Sequence, residues 1–115
     1  MDNLPSVISF SAPSGCPGGL TVTYRLPTTA TLSWRPVPQE MLNGVITEYV
    51  VQVNGPDYRS GQSVLPDATS TEIPNLCPNT KYTFSISAKT AAGVGPPATI
   101  SSVSPQQGEM VKDFF

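Results

Sequence analysis

The sequence predicts an all-β sandwich in which short antiparallel strands form two sheets packed face to face. Three observations carry this. The 115 residues hold 13 prolines and 9 glycines, a density that suits many turns. Apolar residues recur at every second position through a series of short segments. No apolar pattern at helical spacing persists for three turns. Charged residues make up 12% and the net charge is −2, yet Val, Ile, Leu and aromatics recur throughout, so the low charge marks a core rather than disorder.

Taken in order, residues 1–15 form an N-terminal extension or linker with one apolar patch, Val7-Ile8 and Phe10. The Gly/Pro cluster at 14–19 breaks the chain, and the domain is expected to occupy residues 16–105. "GLTVTYRL" places Leu20, Val22 and Tyr24 on one face. "TTATLSW" places Ala30, Leu32 and Trp34 on one face. "RPVPQEMLNG" interrupts: its prolines cannot donate to a ladder, and Asn43-Gly44 favours positive φ. "VITEYVVQVNG" carries Tyr49, Val51 and Val53 at period two. "YRSGQSVL" is polar and broken by Gly61, as an edge strand would be. "TSTEIPNL" is short and stops at Pro74. "KYTFSISAK" alternates most regularly, with Tyr82, Phe84, Ile86 and Ala88 inward. "PATISSV" closes the series; Ile100 and Val103 stand three apart, which predicts a bulge or a frayed end. Residues 106–115 form a C-terminal linker or tail ending in Phe114-Phe115.

The centre of such a core needs one large residue, and Trp34 is the only tryptophan. Tyr82 stands just inside its strand after the Pro78-Asn79-Thr80 turn. In Greek-key sandwiches a tyrosine there returns its hydroxyl to the backbone of the preceding arch, a tyrosine corner. Leu76 plugs the core beneath that arch. The expected core comprises Leu20, Val22, Leu32, Trp34, Tyr49, Val51, Leu76, Tyr82, Phe84 and Ile86.

From residue 17 to about 104 these motifs, in order and at spacing, resemble the fibronectin type III family. "LTVTYRLPTTATLSW" is similar to its first two strands and "NGVITEYVVQV" to its third. "IPNLCPNTKYTFSISAKTAAGVGPP" resembles its Leu-x-Pro-x-Thr-x-Tyr turn, alternating strand and Gly-x-Gly-Pro loop. The resemblance implies an immunoglobulin-like Greek-key β-sandwich of seven strands. Strands one, two and five would form one sheet, and three, four, six and seven the other. Cys16 and Cys77 would then lie at opposite poles, separated by strands roughly 20 Å long, and no bond between them is expected.

Chemistry is excluded more firmly than partners are. There is no histidine, which removes the usual general base and the commonest metal ligand. Two cysteines cannot by themselves make a Cys₂His₂ or Cys₄ zinc site. Glu40, Glu48, Asp57, Asp67 and Glu72 are dispersed over loops and outward positions. Gly93-x-Gly95 lacks the helix and Lys-Ser/Thr of a phosphate loop. No catalytic residue, cofactor or metal is expected. The six basic residues are scattered, so neither nucleic acid nor a membrane surface is an expected partner. No apolar run reaches the ~20 residues that span a bilayer. Asn75-Leu76-Cys77 is the rare cysteine version of a glycosylation acceptor, and no glycan is expected on it.

In the family this chain resembles, the loops after the second and sixth strands share a pole and often contact partners. Met41, Leu42 and Val94 on those loops are the candidate contacts. For Leu42 the other reading is that it tucks back onto the sandwich. The resemblance thus implies a non-catalytic spacer and protein-contact module, flanked by neighbouring domains, in an extracellular or cell-surface receptor, adhesion or matrix protein. The alternative is a cytoplasmic spacer of a giant muscle-type protein, or an accessory domain of a larger enzyme; two free thiols would suit that setting.

Overall fold

A computed structural model describes residues 12–56 and 58–106. Val7, Ile8, Phe10, Phe114 and Phe115 lie outside the described residues. The elements run β1 (Gly18–Leu26), β2 (Thr29–Arg35), α1 (Gln39–Leu42), β3 (Ile46–Asn54), β4 (Arg59–Val64), β5 (Ser70–Ile73), β6 (Lys81–Thr90), β7 (Gly93–Val94) and β8 (Ala98–Val103). Every strand expected from the alternation is present, and the sheets divide as expected. One sheet is ordered β1-β2-β5; the other is ordered β4-β3-β6, with β7 and β8 both paired to β6. All pairs are antiparallel.

The side chains that alternate inward fill the space between the sheets. Leu32, Trp34, Ile73, Tyr49, Val51, Val53, Tyr82, Phe84, Ile86 and Ala88 are buried. Burying each large apolar side chain contributes about 1.5–3 kcal/mol. Leu20, Val22 and Tyr24 are only half-buried and pack against this cluster, because β1 is an edge strand and its inner face is partly open. The Trp34 and Tyr49 rings meet with centroids 5.6 Å apart at 58°, joining the two sheets at the centre. The Trp34 indole Nε1 is buried and has no hydrogen-bond partner among the described residues.

Three local features differ from the expectation. β8 holds an unbroken register on β6, from Ala98↔Ile86 to Val103↔Lys81, so it has neither bulge nor frayed end. Its pattern looks broken because a serine occupies an inward position: the Tyr24 hydroxyl donates to Ser102 Oγ at 3.0 Å, while Val103 points to solvent. The irregularities fall instead in β1, between Gly18/Thr21 and Tyr24/Leu26, and where β3 meets β6 between Ile46/Glu48. The connection after β2 contains one helical turn, closed by Asn43 in the left-handed region at φ 57. Finally, the two-residue β7 adds to the expected seven strands.

Because neighbouring strands are antiparallel, every turn falls at one of two poles. The incoming segment, the β2–β3 connection, the β4–β5 connection and the β6–β7 turn share the first. The β1–β2 turn, the β3–β4 turn, the arch between β5 and β6 and the outgoing residues share the second.

Candidate protein-contact surface

At the first pole the incoming segment is strapped down. The Ser14 N–H donates to Met41 O at 2.8 Å, and Asn43 Nδ2 donates to Ala12 O at 3.0 Å. Pro13 is buried against Gly95, where an added Cβ would lie 2.7 Å from it. Tyr49 reaches this pole from below, its hydroxyl accepting the buried Val37 N–H at 3.3 Å.

Around this strap the surface is apolar. One depression of about 420 Å³ is lined by Thr47, Glu48, Ser63, Val64, Leu65, Ala68 and Ser70. A second of about 380 Å³ is lined by Asn43, Gly44, Val45, Thr47, Thr90, Ala91 and Ala92. Thr47 belongs to both and forms the ridge between them; its hydroxyl donates to Lys89 O at 3.1 Å. Val45 and Leu65 stand at 81% and 72% exposure, well above Met41 and Val94, at 43% and 50%.

Of the three expected contacts, Met41 and Val94 are exposed at this pole, whereas Leu42 is 5% exposed and belongs to the core. The single turn of α1 explains the split: successive residues point to different sides, so Leu42 faces the sandwich as Met41 leaves it. Val45 and Leu65 were not among the expected contacts. Each is the outer member of an apolar pair at a strand end, Val45 before Ile46 and Leu65 after Val64. A strand sends neighbours to opposite faces, so one of each pair must face water.

The second pole is polar and tightly bonded. The Cys77 N–H donates to the Tyr82 hydroxyl at 2.7 Å, forming the tyrosine corner. Burial pushes the Tyr82 pKa up from its ordinary value, against an opposing pull from the Cys77 N–H. Leu76 is buried beneath the arch, and its N–H donates to Thr28 O at 3.0 Å. The outgoing residues tie into the arch. Ser104 Oγ donates to Cys77 O at 2.6 Å and accepts the Thr80 N–H at 3.0 Å, while the Asn79 N–H donates to Pro105 O at 2.9 Å. Cys16 precedes β1 at the first pole and Cys77 sits in the arch at the second; both are free and exposed.

Charges offer little to a reaction. Glu48 accepts from Ser63 Oγ at 3.0 Å and lies 3.7 Å from Lys89 Nζ; Arg25 pairs with Glu72 at 3.1 Å. These are exposed or half-exposed pairs, each worth about 1 kcal/mol or less. Among the described residues no group of three or more His, Cys, Asp or Glu side chains could hold a metal ion. No helix among them is long and apolar enough to cross a membrane.

The sheet order, the corner and the two poles define the fold, and comparison decides the family: the Fibronectin type III domain matches residues 11–104. The chain belongs to the fibronectin type III domain family. Among its relatives is the Tyrosine-protein phosphatase Lar of Drosophila melanogaster, 34% identical over 92 residues, which are 76% of this chain and 4% of that protein. Another is the Neural cell adhesion molecule L1.1 of Danio rerio, 32% identical over 108 residues, 88% of this chain and 9% of that one. The fibronectin type III domain described here thus spans less than a tenth of either relative. The solved chicken CNTN1 FN1–FN3 domains superpose with a TM-score of 0.73 at 26% identity, covering 83% of this chain and 33% of that one.

Proposed function

We propose that this fibronectin type III domain is a non-catalytic spacer and protein-contact module within a larger adhesion or receptor protein, on the extracellular side of the membrane. One observation carries the spacer reading: the chain arrives at one pole and leaves at the other, and each end is hydrogen-bonded to the loops of its own pole. Force or orientation applied at Ala12 therefore passes through nine-residue β1 and the sheets to Pro105 without a slack segment. Relatedness to an adhesion molecule and to a tyrosine-protein phosphatase far longer than this chain supports the modular setting. On this reading residues 16–105 are the domain, and 1–15, of which 12–15 are strapped to it, and 106–115 connect it to neighbouring modules. The apolar rim of Val45, Leu65, Met41 and Val94 is the surface offered to a protein partner.

Paired spin labels at positions 14 and 105 test the spacer role by pulsed distance measurement. A narrow distribution at about 30 Å or more is expected, since nine strand residues alone rise roughly 30 Å. A distribution broadened to half its mean distance overturns it.

A further inference from the structure

The two sheets present open edges, and all but one are blunted. β1 carries two register shifts. β5 is four residues long, stops at Pro74, and its Glu72 is engaged by Arg25. β8 lies between Pro97 and Pro105, with Ser102 tied to Tyr24 of the facing sheet. β4 has only the last of these, a tie to the facing sheet in which Gln62 Nε2 donates to Thr71 Oγ1 at 3.1 Å. It holds six consecutive partners on β3 with no shift, contains neither proline nor lysine, and has no strand paired to its other side among the described residues. Natural sheets protect such edges unless another strand covers them.

We propose that the occupant is a second copy of this chain, added through an antiparallel β4–β4 pairing with its two-fold axis at Gly61. The outward row decides the occupant and the register. Arg59, Gly61 and Ser63 are exposed, while Ser60, Gln62 and Val64 are half-buried toward the interior. Directly opposed residues in a sheet share a face, so an axis at Gly61 sets Arg59 of each copy opposite Ser63 of the other. Ser63 Oγ already donates to Glu48 Oε2 at 3.0 Å on the same outer face. Among the described residues Arg59 has no ion-pair partner and Glu48 has one cationic neighbour, Lys89 at 3.7 Å, so each Arg59 then meets a Glu48 open to a second cation. The edge is therefore self-complementary in charge: two Arg–Glu contacts form and no like charges face each other. Gly61 meets Gly61 at the axis, where the backbones approach without side chains between them. A five-residue edge is small, which places the dimer in the weak, concentration-dependent class.

Sedimentation equilibrium on the 115-residue chain, from about 10 μM to about 1 mM at low salt, tests this together with amide chemical shifts. A reversible dimer is expected, with the largest concentration-dependent shifts at residues 59–63. Gly61→Lys sets like charges opposite each other on the axis and raises the dimer Kd at least about tenfold. The fold tolerates it, since a Cβ there meets only the Val51 carbonyl oxygen, at 3.9 Å. Arg59→Glu weakens the dimer similarly, and adding Glu48→Arg to the same chain restores Kd to within about threefold. A chain that stays monomeric at about 1 mM overturns the proposal. So does a dimer indifferent to Gly61→Lys, a double reversal no better than the single one, or a lone chain whose β4 edge takes up only an unrelated protein's strand.

Discussion

The phenol oxygen of Tyr82 accepts the backbone N–H of Cys77 at 2.7 Å, closing the arch that carries the chain from one sheet to the other. The ring is buried against Phe84 and edge-on to Tyr58, with centroids 6.3 and 5.7 Å away, so the hydroxyl is held in one place. Tyr82→Phe keeps the packing and strands the Cys77 N–H. It is expected to cost about 1–3 kcal/mol, read as a lower urea midpoint at unchanged slope. The same variant tests the raised pKa. A phenol kept neutral by burial stabilises the fold fully below the unfolded-chain pKa of about 10, and that contribution is lost as pH rises toward the folded-state value. Wild-type stability should therefore fall at alkaline pH by a component that Tyr82→Phe lacks.

Gly55 is required by the same ring. A Cβ there would lie 2.6 Å from Cδ1 and Cε1 of Tyr82, and the Gly55 N–H is committed to Tyr58 O at 2.8 Å. Tyr82 cannot retreat, because it is 1% exposed and fixed by its hydroxyl. Gly55→Ala should destabilise by about 1–3 kcal/mol through overpacking rather than backbone strain. In a double-mutant cycle its cost should shrink when Tyr82 is Leu; an additive cycle would refute the contact.

Met41 and Leu42 are adjacent in sequence and opposite in role. Leu42→Ala opens a cavity at the rim of the core and is expected to cost about 2–4 kcal/mol. Met41→Ala should change stability by no more than about 0.5 kcal/mol, leaving it free to alter partner binding. Thermal unfolding of the two variants side by side checks both statements, and equal losses would contradict the placement of Leu42.

These cases mark what the sequence makes legible. Strict alternation in "KYTFSISAK" places four inward side chains correctly, because burial on one face admits only one register. A serine at an inward position breaks the pattern in "PATISSV" without breaking the strand, since the Tyr24 hydroxyl satisfies it from the other sheet. That partner is 78 positions away, beyond any local reading. β7 is two residues long and held only by pairing to β6, so no periodicity can reveal it. The exposed Val45 and Leu65 were readable in principle as apolar pairs at strand ends, but only once the strand ends were known.

Ser104 is where stability and the spacer role meet. It is 2% exposed; its hydroxyl donates to Cys77 O and accepts from Thr80, while its own N–H donates to Thr80 O at 2.9 Å. Ser104→Ala removes all the hydroxyl bonds, a longer one to Thr80 O at 3.2 Å included, and leaves the backbone bond. The Thr80 N–H and Cys77 C=O are then part-buried without partners, at a cost of about 1–3 kcal/mol. The loss should be local first. Thr80 amide exchange should accelerate about tenfold for each 1.4 kcal/mol, while Phe84, buried mid-strand in β6, follows only the global change. If the outgoing residues transmit orientation, a second module fused after position 106 should also tumble more independently in Ser104→Ala, seen as a lower shared rotational correlation time. An unchanged Thr80 exchange rate would show that the outgoing segment is held by its backbone bonds alone and that the serine adds no stiffness to the joint.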